Sequence, residues 1–255
     1  MLRPTEQGFR KVLKFVQLAI REAEFQAELS HPNIVSFKGF VENISKRMIW
    51  LVFPWAENGN LKDFVALRNW EIPERISLIS DVTQGLAYLH SREPPICHGD
   101  LKSLNVVVDR HHHAAITDFG SARQLLNPTF CASTNTITLT GNKYTLRWAA
   151  PELLVEDQLS LWSDIWALGW IAYEVMTNSL PFQDASTDIV VVKRVLGGEL
   201  PSLTDNAHLS LIQELCSLMN MCWKNSPTER PTADYCRASI RAMVREPGSR
   251  ALKHN

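Results

Sequence analysis

His98-Gly99-Asp100-Leu101-Lys102-Ser103-Leu104-Asn105 is followed, thirteen positions after the Asn, by Asp118-Phe119-Gly120, and later by Ala150-Pro151-Glu152. The first string reads H-x-D-x-K-x-x-N and gathers a carboxylate, an ammonium group and a carboxamide in one short loop. A second carboxylate follows at Asp118. Carboxylate and carboxamide oxygens are hard ligands that suit Mg²⁺. A lysine is a compact positive charge for a phosphate, and a carboxylate within reach of a hydroxyl can orient it and take its proton. An isolated Asp-Lys-Asn cluster reads as a solvated turn. The ordered arrival of D-F-G and A-P-E argues against that reading here.

These motifs, in this order, resemble those of the eukaryotic protein kinases, from about residue 15 to the end of the chain. The resemblance implies an α+β, bilobal fold in which 1–255 form a single protein kinase domain. Residues 1–55 would be a reduced N-terminal β lobe, and 56–255 a mostly helical C-terminal lobe. It also implies ATP and Mg²⁺ as cofactors and a protein substrate. Asp100 is then the expected catalytic base, Lys102 the charge on the transferring phosphate, and Asn105 and Asp118 the Mg²⁺ ligands. Phe53-Pro54-Trp55-Ala56 falls where the interlobe hinge belongs. Phe53 would be the gatekeeper, the Pro54 carbonyl and Ala56 N–H would meet adenine, and Val107 would lie under the ring. Proline lacks an N–H, but that hinge position uses only its carbonyl.

D-L-K-x-x-N is similar to the serine/threonine pattern, where tyrosine kinases usually read D-L-A-A-R-N or D-L-R-A-A-N. Thr145, three before Trp148, fits the same side. H-G-D-L-K-S-x-N together with L-R-W-x-A-P-E resembles the tyrosine-kinase-like branch, whose members mostly phosphorylate Ser and Thr. The resemblance further implies a buried Glu152–Arg230 pair, an Asp164 that braces the backbone at His98 and Gly99, and Glu22 as the helix glutamate that meets a strand lysine.

Four departures stand against that pattern. No G-x-G-x-x-G occurs, and Gly8 is the only glycine before Gly39. No V-A-I-K occurs; Lys11 and Lys14 lie too close to Glu22 to sit on a preceding strand. Met1-Leu2-Arg3 resembles the residues immediately after the strand lysine in related sequences, so the chain is expected to be N-terminally truncated, by gene model or by genuine loss. Gly99 replaces an arginine that pairs with a phosphorylated loop in many kinases, so loop phosphorylation is not expected to switch activity by that route. Gln26 falls where the family stacks an apolar side chain with Phe37, His98 and Phe119, and a buried amide there needs partners. Three readings stay open: an active serine/threonine kinase, an impaired pseudokinase acting as a scaffold, and a small-molecule phosphotransferase, which also uses H-G-D-x-x-x-x-N.

The remaining sequence is consistent with a soluble globular protein. It has 255 residues, 45% of them hydrophobic, with 26 basic and 27 acidic side chains. This balance gives no electrostatic case for nucleic acid or a membrane surface, and no apolar run reaches the roughly 20 residues of a membrane span. The apolar run from Ile165 to Met176 is broken by Gly169 and Glu174. Five cysteines without a C-x-x-C pair point to reduced thiols in the cytoplasm, or the nucleus. Apolar spacing predicts helices over 12–29, 76–90, 160–177, 189–196 and 209–223. Strands are predicted over 34–41, 48–53, 106–108 and 114–116, with turns at 57–60 and 109–113 and a long surface loop over 118–149. His111-His112-His113 reads as a solvated turn, Trp162, Trp166 and Trp170 as packing, and Cys131 as an ordinary thiol.

Overall fold

The computed structural model describes residues 20, 23–43, 46, 48–125, 131–132, 145–156, 158–203 and 212–245. Residues 23–27 are helical. Strands β1 (Gly39–Asn43) and β2 (Met48–Val52) then pair antiparallel, with Gly39 opposite Val52 and Asn43 opposite Met48. The expected strand over 34–41 is corrected at its first half. Ile34 makes only an isolated bridge to Ile116, and the chain is irregular until Gly39. The reason is a competing partner: Val35 N–H donates to Ile116 O, and Asn33 O accepts from Ile116 N–H, both at 2.9 Å.

Among the described residues, the rest is mainly helical. Helix α1 (Leu61–Ala66) is capped by Asn60, whose Oδ1 accepts from Asp63 N–H at 2.9 Å. Helix α2 (Ile72–His90) begins earlier than its apolar spacing predicts. Glu71 N–H donates to Glu74 Oε2 at 2.9 Å, and Pro73 sits in the first turn, where a missing N–H leaves no bond unmade. Strand β3 (Ile96–Cys97), β4 (Val106–Val108) and β5 (Ala114–Ile116) follow; β4 and β5 pair antiparallel around the turn at Asp109–His113. Strand β6 (Arg123–Gln124) pairs with β3, and β7 (Cys131–Ala132) pairs with β8 (Gln158–Leu159).

Helix α3 (Pro151–Glu156) precedes α4 (Leu161–Thr177), which Ser160 caps. Helices α5 (Asp188–Leu196), α6 (Gln213–Cys222) and α7 (Ala233–Arg245) complete the chain. Apolar periodicity missed α3, which is too short to repeat, and α7, whose apolar residues include small alanines set among three arginines.

Helix α4 is the centre of the core. It is buried on every side from Ser163 to Ala172, with Trp166 and Trp170 each 1% exposed, while Trp162 at its start is half-buried. Helix α2 lies against α4 and α7, and also carries the strand-containing part of the molecule. Gly85 makes this possible: a Cβ there would lie 2.5 Å from Asn33 O, so only glycine lets the 33–34 segment close on the helix.

Two arginines are enclosed in this core. Arg75 of α2 donates to Trp70 O at 2.9 Å, to Asn178 Oδ1 at 2.9 Å, and to Val175 O, at the C-terminal end of α4 where the helix dipole favours a cation. Arg230 meets Glu152 of α3 through two bonds, at 2.6 and 2.8 Å, and gives further bonds to Trp162 O and Lys224 O. This fork-to-carboxylate geometry fastens α3 to the helical core. Replacing Glu152 by Ala leaves a fully enclosed guanidinium without its counter-charge. The expected cost is about 3–5 kcal/mol, seen as a drop in Tm on the order of 10 °C by circular dichroism.

Candidate active site

The loop from His98 to Asn105 hangs from the first turn of α4. Asp164, 1% exposed, accepts from His98 N–H at 2.7 Å through Oδ2 and from Gly99 N–H at 3.0 Å through Oδ1. His90, at the end of α2, reaches the same Oδ2 at 3.0 Å. Burial works to raise the Asp164 pKa, but the His90 hydrogen bond and charge, the charge of His98 and the Gly99 N–H outweigh it and hold the carboxyl below its ordinary value. Asp164 thus braces the backbone at the two positions the motif implies.

Gly99 has φ +78°, and a Cβ there would sit 2.9 Å from Ser121 O and 3.0 Å from Leu159 Cδ1. The departure at this position therefore has a local steric basis: no side chain fits between β8 and the D-F-G segment. His98 then points its ring across the site. Its Nε2 meets Thr117 O at 3.0 Å and its Nδ1 meets Asp100 N–H at 3.3 Å. A carbonyl needs a donor and an amide needs an acceptor, so the proton of this ring belongs on Nε2.

Three of the expected site residues are joined directly. Lys102 Nζ lies 2.6 Å from Asp100 Oδ2, and Asn105 Nδ2 donates to Asp100 O at 2.9 Å and to Oδ2 at 3.3 Å. Lys102 is buried, and the Asp100 carboxylate is partly exposed, so the loop presents its carboxylate outward from an enclosed ammonium group. The fourth residue arrives through the backbone: Asn105 O accepts from Thr117 N–H at 2.9 Å, which brings Asp118 beside Asn105. Asp118 is exposed and left-handed, with φ 63°, a conformation that costs a non-glycine residue about 1 kcal/mol or more. Phe119, at 1% exposure, packs against His98 with ring centroids 5.1 Å apart, which holds that geometry in place.

The expected hinge residues lie along one edge of this cluster. Asn58 N–H donates to Val108 O, Val108 N–H donates to Gly59 O, and Asn60 bridges Val107. Gly59 N–H returns to Ala56 O at 3.1 Å, so Ala56 and Val107 belong to adjoining segments. Pro54 is exposed and Ala56 half-buried, while Phe53 meets Phe37 with the rings tilted at 57° and centroids 5.7 Å apart. Glu22, Lys11, Lys14 and Gly8 lie outside the described residues, as does the side chain of Thr145.

Asn105 Oδ1, left over once Nδ2 is turned to Asp100, and the exposed carboxylate of Asp118 are hard oxygen donors along this site. Both suit Mg²⁺. The three turn histidines have separate partners: His111 accepts from Arg110, His112 packs on Phe64 and Trp70, and His113 meets Asp81.

Two groups that sequence reasoning passed over also belong to this region. Glu174, on α4, is buried and receives Ser103 Oγ–H at 3.0 Å and Trp148 Nε1–H at 2.7 Å. Its signal was a carboxylate interrupting an otherwise apolar run. Arg147 donates to Pro181 O at 2.8 Å, to Ala185 O at 3.1 Å, and to Phe182 O. No sequence signal marks a guanidinium that binds backbone carbonyls.

The family model described as protein kinase domain matches residues 6–239 of this chain. The serine/threonine-protein kinase CTR1 of Arabidopsis thaliana is 31% identical over 236 residues, covering 89% of this chain and 27% of that protein. The Dictyostelium discoideum protein named probable serine/threonine-protein kinase drkD is 30% identical over 236 residues, 92% of this chain and 17% of its own length. The chain spans between 12% and 27% of the length of the curated relatives it matches.

Two outcomes are expected from this geometry. The depressed pKa of Asp164 means that its stabilisation is present above the ordinary value of 3.8 and is lost as pH falls through and below that value. Asp164→Asn should lower Tm at neutral pH by several degrees and flatten the decline in Tm between pH ~5 and pH ~3, followed by thermal melting. Gln26 is 1% exposed and, among the described residues, neither its Nε2 nor its Oε1 has a partner. Gln26→Leu should therefore raise stability by about 1–3 kcal/mol; an unchanged or lower Tm would contradict an orphaned amide.

Proposed function

Because the chain belongs to the protein kinase domain family, we propose that it transfers the γ-phosphate of ATP, with Mg²⁺, to a serine or threonine hydroxyl of a protein substrate. The observation that carries this reading is the hydrogen-bonded trio of Asp100, Lys102 and Asn105, with Asp118 delivered beside it. Asp100 orients the acceptor hydroxyl and takes its proton. Lys102, held against Asp100 Oδ2, supplies a compact positive charge where negative charge builds on the transferring group. Asn105 Oδ1 and Asp118 would hold the metal, which would offset the negative charge of the phosphates. The Pro54 carbonyl and Ala56 N–H would take the adenine edge, above Val107. Residues 1–255 are read as one kinase domain, and Lys102 in place of the tyrosine-kinase alanine or arginine supports a Ser/Thr acceptor.

A second reading is an impaired pseudokinase or scaffold, the state of a kinase domain that works without a G-x-G-x-x-G loop and a V-A-I-K lysine. Each of those elements supplies preorganised positive charge or N–H donors, worth roughly 2–4 kcal/mol apiece in comparable sites.

Phosphate transfer from labelled ATP to a generic protein substrate separates the readings. The active reading expects Mg²⁺-dependent labelling on Ser or Thr, reduced about 10²–10⁴-fold by Asp100→Asn. It also expects Mg-ATP, but not ATP with chelator, to raise Tm, and Asp118→Asn to abolish that rise. A metal-dependent rise in Tm without phosphate transfer would select the scaffold instead.

A further inference from the structure

Glu174 lies ten residues beyond Asp164 on α4 and is 3% exposed. Its two oxygens serve two different segments. Oε1 meets the hydroxyl of Ser103, the neighbour of Lys102, at 3.0 Å; Oε2 meets the indole N–H of Trp148 at 2.7 Å. Trp148 is itself 3% exposed and closes the Thr145–Trp148 turn just before Ala150-Pro151-Glu152. One planar group therefore sets the spacing between the loop that carries Asp100 and the end of the segment that follows D-F-G. An apolar side chain of the same size could hold neither donor and would leave a buried indole N–H unpaired.

We infer that Glu174 is a positioning residue for the phosphoryl transfer proposed above, holding loop 98–105 and the Thr145–Trp148 turn in one register through Ser103 and Trp148. This rests on that functional reading, but the coupling of the two segments can be measured without it.

The charges around the group define how it works. Burial pushes its carboxyl up to about 8 from an ordinary 4.5, against the Trp148 and Ser103 hydrogen bonds and the charge of Lys62 on α1. Arg75 of α2, close to the same helix end, is already turned to Val175 O and Asn178 Oδ1. Near neutral pH, Glu174 is thus a neutral acid, and a Ser hydroxyl that can donate or accept pairs with it in either form. Glutamine has the same shape and the same acceptor for Trp148, so it should substitute; alanine should not.

The test compares Glu174→Gln and Glu174→Ala, with Trp148→Phe as a milder second lesion that keeps the ring and removes only the N–H. Expected is a kcat within about twofold of wild type for Gln and about tenfold lower for Ala, with KM for ATP moved less than about threefold. Amide exchange should quicken at 103–105 and 145–148 in Glu174→Ala and Trp148→Phe but not in Glu174→Gln. Because the native form keeps a proton that the unfolded chain releases, wild-type stability should fall relative to Glu174→Gln as pH rises from about 4.5 to about 8, then run parallel. Wild-type kcat and exchange in Glu174→Ala would overturn the inference, as would Gln proving as damaging as Ala. If wild type transfers no phosphate, the functional reading fails alone, and the exchange and pH measurements still decide whether Glu174 couples the two segments.

Discussion

The buried carboxylate of Asp164 joins the central buried helix of this molecule to the part expected to react. Ser160 and Ser163 exchange hydrogen bonds at 3.2 Å to start α4, and Asp164 follows in the first turn, where its charge is favoured by the helix dipole. From there it takes the N–H groups of His98 and Gly99 and the ring of His90, so the position of a core helix is passed to the backbone just before Asp100. Gly99 turns left-handed at that point, and the His98 ring ties Asp100 N–H to Thr117 O. Removing the carboxylate would leave buried donors without an acceptor and release the whole arrangement.

Asp164 is one of several charged groups enclosed in this core, and each is matched by a different chemistry. Arg230 has a carboxylate partner, Arg75 has carbonyls at a helix C-terminus, and Glu174 has two uncharged donors. A neutralised acid suits a site with no adjacent cation in contact, which is why its pKa moves up where that of Asp164 moves down. Buried polar groups contribute less to total stability than an apolar core of equal volume, but they tolerate far fewer alternative arrangements. Among the described residues Gln26 is a buried amide with neither end paired, and the indole N–H groups of Trp166, Trp170 and Trp223 also lack partners.

Much of the fold was legible because it depends on short-range pattern. Strands β4 and β5 are short, wholly apolar runs on either side of a polar turn and match their predicted bounds. Helix α4 follows an apolar run that begins at a serine cap. The pattern failed where long-range pairing competed with it. Residues 34–38 read as strand, but Ile34 N–H turns back to His31 O and Val35 N–H goes to Ile116 O, so only Lys38 N–H reaches β2, at Val52 O; α3 was too short to show a period.

For the candidate site, the sequence alone identified the family, through motif order and spacing, and supplied the residues proposed to orient the hydroxyl, meet the phosphate and hold the metal. Those properties are written along the chain, since a loop of eight residues brings Asp100, Lys102 and Asn105 together whatever surrounds it. Tertiary structure decided what lies between distant segments. It set Glu174 between Ser103 and Trp148, aimed Arg147 at the carbonyls of Pro181 and Ala185, and made Gly99 a steric necessity beside Ser121 O and Leu159. A carboxylate in an apolar helix does not state in sequence which donors will reach it, because that depends on how three segments pack, and packing is a property of the folded chain alone.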